Sequence, residues 1–192
     1  MSRGTLRPVI LAGLLMAAAV YPLVFTQPFP QDLAIKVFLF GGLAAAWNIL
    51  GGFTGQVSLG NAIFFGIGAY SAGLVQTRLG TVPWVGIPLG MGAAVLVGLI
   101  IGFPCFRLKG HYFAMATLAI GEVVQTVFIN WKWAGGAIGL YIPIRDDTWT
   151  HFQFGTTKLP YYYAALVFVL SVLLLSAWLM RSRTGYRFRA IK

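Results

Sequence analysis

"WVGIPLGMGAAVLVGLIIGF", residues 84–103, runs for twenty residues without a charged side chain. At about 1.5 Å rise per residue a helix of this length covers roughly 30 Å, the thickness of a bilayer's hydrocarbon core. A strand of a membrane β-barrel would alternate apolar and polar residues over about ten positions; this run does not alternate. The stretch predicts a membrane-spanning helix. Gly86, Gly90, Ala94, Gly98 and Gly102 recur along it at every fourth position. Small residues at that spacing share a face and let a neighbouring backbone come close, which favours helix association in lipid.

The pattern repeats on both sides. Apolar runs of about 17–20 residues place helices near Pro8–Phe25, Leu33–Leu50, Asn61–Thr77, Trp84–Phe103, His111–Asn130 and Tyr161–Met180. The third carries its own stripe of small residues, Ala62, Gly66, Ala69 and Gly73. The predicted fold is all-α, a polytopic transmembrane helix bundle of about six spans. Close helix packing is assigned to Gly66, Gly73, Gly90, Gly98 and Gly102. Composition points the same way: 58% of the 192 residues are hydrophobic and 9% charged, and the mean hydropathy is +0.80. A soluble domain of this length needs more polar surface. The run behind Arg3 and Arg7 has the look of a secretory signal. It approaches spanning length and further helices follow, so it reads as an uncleaved first span.

The net charge of +10 is placed as membrane orientation requires, and no nucleic-acid partner is needed to explain it. With a cytoplasmic N-terminus, the inner segments hold Arg3, Arg7, Arg107, Lys109, Arg181, Arg183, Arg187, Arg189 and Lys192, with no acid among them. The outer segments hold Lys36, Arg78, Lys132, Arg145 and Lys158 together with Asp32, Asp146 and Asp147. The positive-inside rule then puts both termini in the cytoplasm. Residues 131–160 form an outer loop that caps the bundle or docks a partner, and 181–192 a basic cytoplasmic end. Trp84, Trp131, Trp133 and Tyr161–Tyr163 fall at outer helix ends, where aromatic rings anchor a membrane protein.

Between the second and third spans lies a different stretch, "NILGGFTGQVSLGNAIFFGIGAY", residues 48–70. Gly51–Asn61 is rich in glycine and polar residues and carries no charge, although the other inner segments are basic. It is no phosphate-binding loop, because the lysine and the preceding soluble strand are missing. It is no nucleophile elbow either, since Gln56 stands where a glycine two residues before Ser58 is required. The lone Cys105 and the isolated His111 and His151 make neither a disulfide nor a metal site. No catalytic residue and no cofactor are expected, and the chain reads as a non-enzyme. Irregular backbone at membrane depth is tolerated where protein or a water-filled cavity surrounds it. Two readings stay open: a re-entrant element whose Thr54, Gln56, Ser58 and Asn61 border a solute path, or a tight turn between helices.

Glu122 is the acidic residue well inside a predicted span, with Gln125 and Thr126 about one turn further on. A charge at a span's centre costs about 2.5–3.5 kcal/mol on insertion scales, so a partner is expected, with Asn48, Gln56 and Gln76 as candidates. Glu122 and Gln125 join the candidates for the path or its gate; a structural tie between helices is the other reading.

"NILGGFTGQVSLGNAIFFGIGAY" and "FRLKGHYFAMATLAIGEVVQ" (106–125) resemble the membrane-spanning permease subunits of branched-chain amino-acid ABC importers, the LivM type. The resemblance continues through "GGAIGLYIPI" (135–144) and "MRSRTGYRFRAIK" (180–192). It implies a bacterial inner-membrane importer for leucine, isoleucine and valine. Two cytoplasmic ATPase subunits, a second permease subunit, a periplasmic substrate-binding protein and the lipid bilayer would be its partners. Related permeases carry urea or short amides. Family members often have histidine where Asn61 stands, and Thr-Gly-Gly where Ala134-Gly135-Gly136 stands. They also continue past "RFRAIK" into a coupling segment that docks on the ATPase. The resemblance therefore implies that 1–192 is the N-terminal part of a single permease domain, with a truncated, non-transporting membrane scaffold as the alternative.

Overall fold

The computed structural model describes residues 3–108, 110–144, 148–155, 157–183 and 185. Lys109, Asp146, Asp147 and most of the basic end lie outside them. Six long helices form where apolar runs were expected: α1 (Arg3–Val24), α2 (Pro28–Asn48), α3 (Asn61–Arg78), α4 (Pro83–Cys105), α5 (His111–Asn130) and α6 (Leu159–Arg181). No strand forms among the described residues; one isolated bridge pairs Thr148 with Gln153. The fold class is all-α.

Among the described residues, four helical segments are long and apolar enough to cross a membrane: Pro28–Gly52, Pro83–Cys105, His111–Asn130 and Leu159–Arg181. α1 contributes a further described apolar segment, Ala12–Val24. α3 is not among the four, diluted by Asn61, Ser71, Gln76, Thr77 and Arg78. The surface of α4 shows why the solvent must be lipid. Met91, Val95, Leu96, Ile100, Leu99 and Phe103 are all exposed, the last two by 71%. Each such side chain would forgo about 1.5–3 kcal/mol by standing in water rather than an apolar medium.

The chain divides into two compact units, and the division falls after Ala46 within α2 and after Gln153. In the first, α1, most of α2 and α6 gather around Tyr162, which is 1% exposed. Its hydroxyl donates to the Ala18 carbonyl at 2.6 Å, and its ring lies 5.3 Å from Phe38 and 6.1 Å from Tyr21. A buried phenol needs such a partner, because an unpaired hydroxyl in an apolar setting costs about 1–3 kcal/mol. Lys158 pairs with Asp32. The buried Gln31 amide donates to the Phe25 carbonyl at 3.0 Å and holds the turn from α1 into α2.

In the second unit α3 and α4 pack backbone against backbone. A Cβ on Gly90 would stand 2.5 Å from the Gly68 carbonyl oxygen, and one on Gly86 3.0 Å from that of Ala72. Only a residue without a side chain allows that approach at Gly90. α5 completes the unit, and after it the chain turns back through two short 3-10 turns, Lys132–Ala134 and Gly136–Ile138.

Candidate functional site

Past Asn48, α2 loosens into a π-helical turn, Ile49–Phe53, and residues 55–60 are irregular. Gly55 takes φ +73°, a conformation natural to glycine. The segment's polar groups then find partners within the protein. The Thr54 hydroxyl donates to the Leu50 carbonyl at 2.7 Å. The Trp47 indole N–H donates to the Ser58 carbonyl at 2.8 Å. The Leu59 amide donates to the Thr117 hydroxyl of α5 at 3.1 Å, and that hydroxyl donates on to the Ala114 carbonyl at 2.9 Å. Ser58 is 4% exposed, and its hydroxyl accepts from the Gly60 amide at 3.4 Å. Neutral side chains of the segment and of its neighbours thus pair with its backbone groups, as buried irregular chain requires.

Against this segment lies a cleft of about 550 Å³ between α3, α5 and the chain around 136–139. That volume is within the ~300–1,000 Å³ range of small-molecule sites. Ile63, Ile67, Leu118 and Ile129 supply aliphatic walls, Tyr70 and Phe128 an aromatic side with ring centres 4.6 Å apart. Glu122 and Gln125 supply its long polar side chains, and Gly66 lies in its wall with nothing within 4 Å of where a Cβ would stand. The returning chain is held over the cleft by α3. Arg78 donates to the Trp133 carbonyl at 3.0 Å and lies 5.8 Å from the Trp133 ring, while the Leu140 side chain packs onto Gly73.

The Glu122 carboxylate takes none of the three partners proposed for it. Among the described residues, no hydrogen bond joins it to Asn48, Gln56 or Gln76. Gln76 is buried on α3, and Asn48 sits against Gly52. The exposed Glu122 side chain faces the cleft, and its backbone carbonyl receives the Thr126 hydroxyl at 2.8 Å.

A second, smaller chamber of about 120 Å³ lies beyond, lined by Ser58, Phe64, Cys105, Phe113 and Thr117 and by the glycines Gly98 and Gly102 of α4. Gly98 faces the Phe64 ring at 3.5 Å and Gly102 the Phe106 ring at 2.9 Å, measured from an added Cβ. The candidate residues thus separate by place: Glu122 and Gln125 in the cleft, Ser58 in the chamber, Thr54, Gln56 and Asn61 in the lining of neither. Residues 136–139 entered the sequence reading only as part of the family motif, and Tyr70 and Phe128 were not singled out as site residues. Tyr70 and Phe128 read there as ordinary span residues, and nothing in the pattern says that 136–139 return to α5.

The chain matches a family described as branched-chain amino acid transport system / permease component over residues 29–192. It is 32% identical over 120 residues to the high-affinity branched-chain amino acid transport system permease protein LivM of Escherichia coli (strain K12). The protein of the same name from Salmonella typhimurium (strain LT2) matches equally. The aligned segment spans 62% of this chain and 28% of the length of each relative. No solved structure matches the chain.

Proposed function

The chain belongs to the branched-chain amino acid transport permease family, and on that premise we propose that it forms part of the solute path of an ATP-driven importer for leucine, isoleucine and valine. The transporter would sit in a bacterial inner membrane and work with cytoplasmic ATPase subunits, a second permease subunit and a periplasmic binding protein. One observation carries the reading: the cleft sets a carboxylate and an amide, Glu122 and Gln125, among aliphatic walls. A branched-chain amino acid presents a cationic ammonium to the carboxylate and a hydrocarbon side chain to Ile63, Ile67, Leu118 and Ile129. Apolar burial contributes about 25 cal/mol per Å², which urea or a short amide has little surface to collect. Ser58, buried in the second chamber, is the polar border of the path beyond the cleft; Thr54, Gln56 and Asn61, which line neither cavity, flank it along the chain.

The test is ATP-dependent uptake by the complete permease assembled with those partners. A hydrogen bond to a charged group is worth about 1.5–3 kcal/mol, so Glu122→Gln weakens leucine handling roughly 10- to 150-fold. Unchanged uptake by an intact Glu122→Gln complex removes the role given to Glu122. Transport of urea by a complex that ignores leucine, isoleucine and valine removes the substrate assignment.

A further inference from the structure

The cleft and the smaller chamber share two lining residues, Gly60 and Ile63, and of these only Ile63 has a side chain. Ile63 sits in the first turn of α3 and is 5% exposed. Its Cδ1 atom lies 3.1 Å from where a Cβ on Gly60 would be, and 3.9 Å from one on Gly121 of α5. Gly60 is itself pressed against the Thr117 carbonyl oxygen, 3.0 Å from an added Cβ. Glycines on both sides therefore bring two backbones close around a single isoleucine. On the far side the chamber ends at Cys105 and Phe113, each 3% exposed.

We propose that the Ile63 side chain is the constriction between the cleft and the inner chamber, closing the solute path in the conformation described here. The proposal rests on the cleft being the solute path. It concerns a residue whose place in the sequence, inside an apolar helix, reads as core. Rotation about χ1 is restricted in a β-branched side chain, so the constriction opens by movement of α3 against α5 rather than by the side chain swinging aside. Without a side chain at 60 or 121, nothing else in the shared wall replaces Ile63 once it is shortened.

Cys105 serves as a built-in reporter. A charged, membrane-impermeant thiol reagent is applied to right-side-out and inside-out vesicles holding the assembled transporter, and modification is read on the Cys105 peptide by mass spectrometry. From the side on which residues 131–144 are exposed, Ile63→Ala speeds modification roughly thirtyfold, equivalent to about 2 kcal/mol. Gly121→Ala slows it, because the new methyl packs on Ile63 and opposes its displacement. Equal rates for wild type and Ile63→Ala overturn the proposal, and so does the same acceleration from both sides, which marks general loosening. If Ile63→Ala does not assemble, Gly121→Ala decides: slower modification supports the constriction, unchanged or faster modification overturns it. Leucine uptake by the same vesicles separates the two readings. Gated modification without leucine uptake leaves the constriction and removes the substrate; leucine uptake with ungated modification does the reverse.

Discussion

Alanine at Gly90 tests the contact that holds α3 to α4. Its Cβ would stand 2.5 Å from the Gly68 carbonyl oxygen and 3.4 Å from the Ala72 Cβ. Ordinary contact begins at 3.4 Å, so the helices must part by about 3.4 − 2.5 = 0.9 Å. Backbone on both sides leaves no flexible side chain to give way. Overpacking of this kind costs about 1–3 kcal/mol. Alanine also favours a helix over glycine by about 0.8–1 kcal/mol, which would mask part of the effect. Gly66→Ala supplies the correction, since nothing stands within 4 Å of its added Cβ and it makes the same change within a helix. The difference in unfolding free energy between the two variants isolates the collision at about 1–3 kcal/mol, roughly a 5- to 150-fold change in the equilibrium. Reversible unfolding of the permease in mixed micelles, titrated with denaturing detergent, reads it. If Gly90→Ala proves as stable as Gly66→Ala, the close approach of α3 and α4 is not what the packing argument requires.

Two further substitutions probe the hydrogen bonds. Thr117→Val removes the acceptor of the Leu59 amide; that amide should exchange its hydrogen faster, with a loss of about 1–3 kcal/mol, and Thr117→Ser should restore both. Tyr162→Phe takes away a buried donor to Ala18 and should cost about 0.5–1.5 kcal/mol. Tyr163→Phe, at a more exposed position with a 3.2 Å bond to Ala19, should cost less; equal losses in detergent unfolding would contradict the hub role of Tyr162.

The helices were legible in the sequence because a membrane core tolerates few interruptions. α5 runs over His111–Asn130 as expected, and α4 extends the expected span only by Pro83 at its start and by Pro104 and Cys105 at its end. The face of α3 that meets α4 was harder to read. Small residues stand four apart at Ala62 and Gly66, at Ala69 and Gly73, and equally at Gly68 and Ala72. Spacing cannot rank those stripes; the approach of Gly90 to Gly68 does. Glu122 and Gln125 were recognisable as polar residues out of place in a span. Their cleft was not, because its far wall comes from residues 136–139, folded back by contacts of Arg78 and Leu140 that join distant parts of the chain. Ile63 looks like any other apolar residue of α3 until two cavities are seen to meet at it.

The bonds from residue 58 to Trp47 and from residue 59 to Thr117 have a mechanical consequence. Both are made between neutral groups, so the membrane potential does no direct work on them and salt does not screen them. They form an uncharged linkage between the end of α2 and the second turn of α5. A force that shifts α5 is passed through Thr117 to the start of α3, whatever the voltage across the membrane. The absence of charge from Gly51–Asn61 then has a use of its own: the linkage answers to movement and not to field.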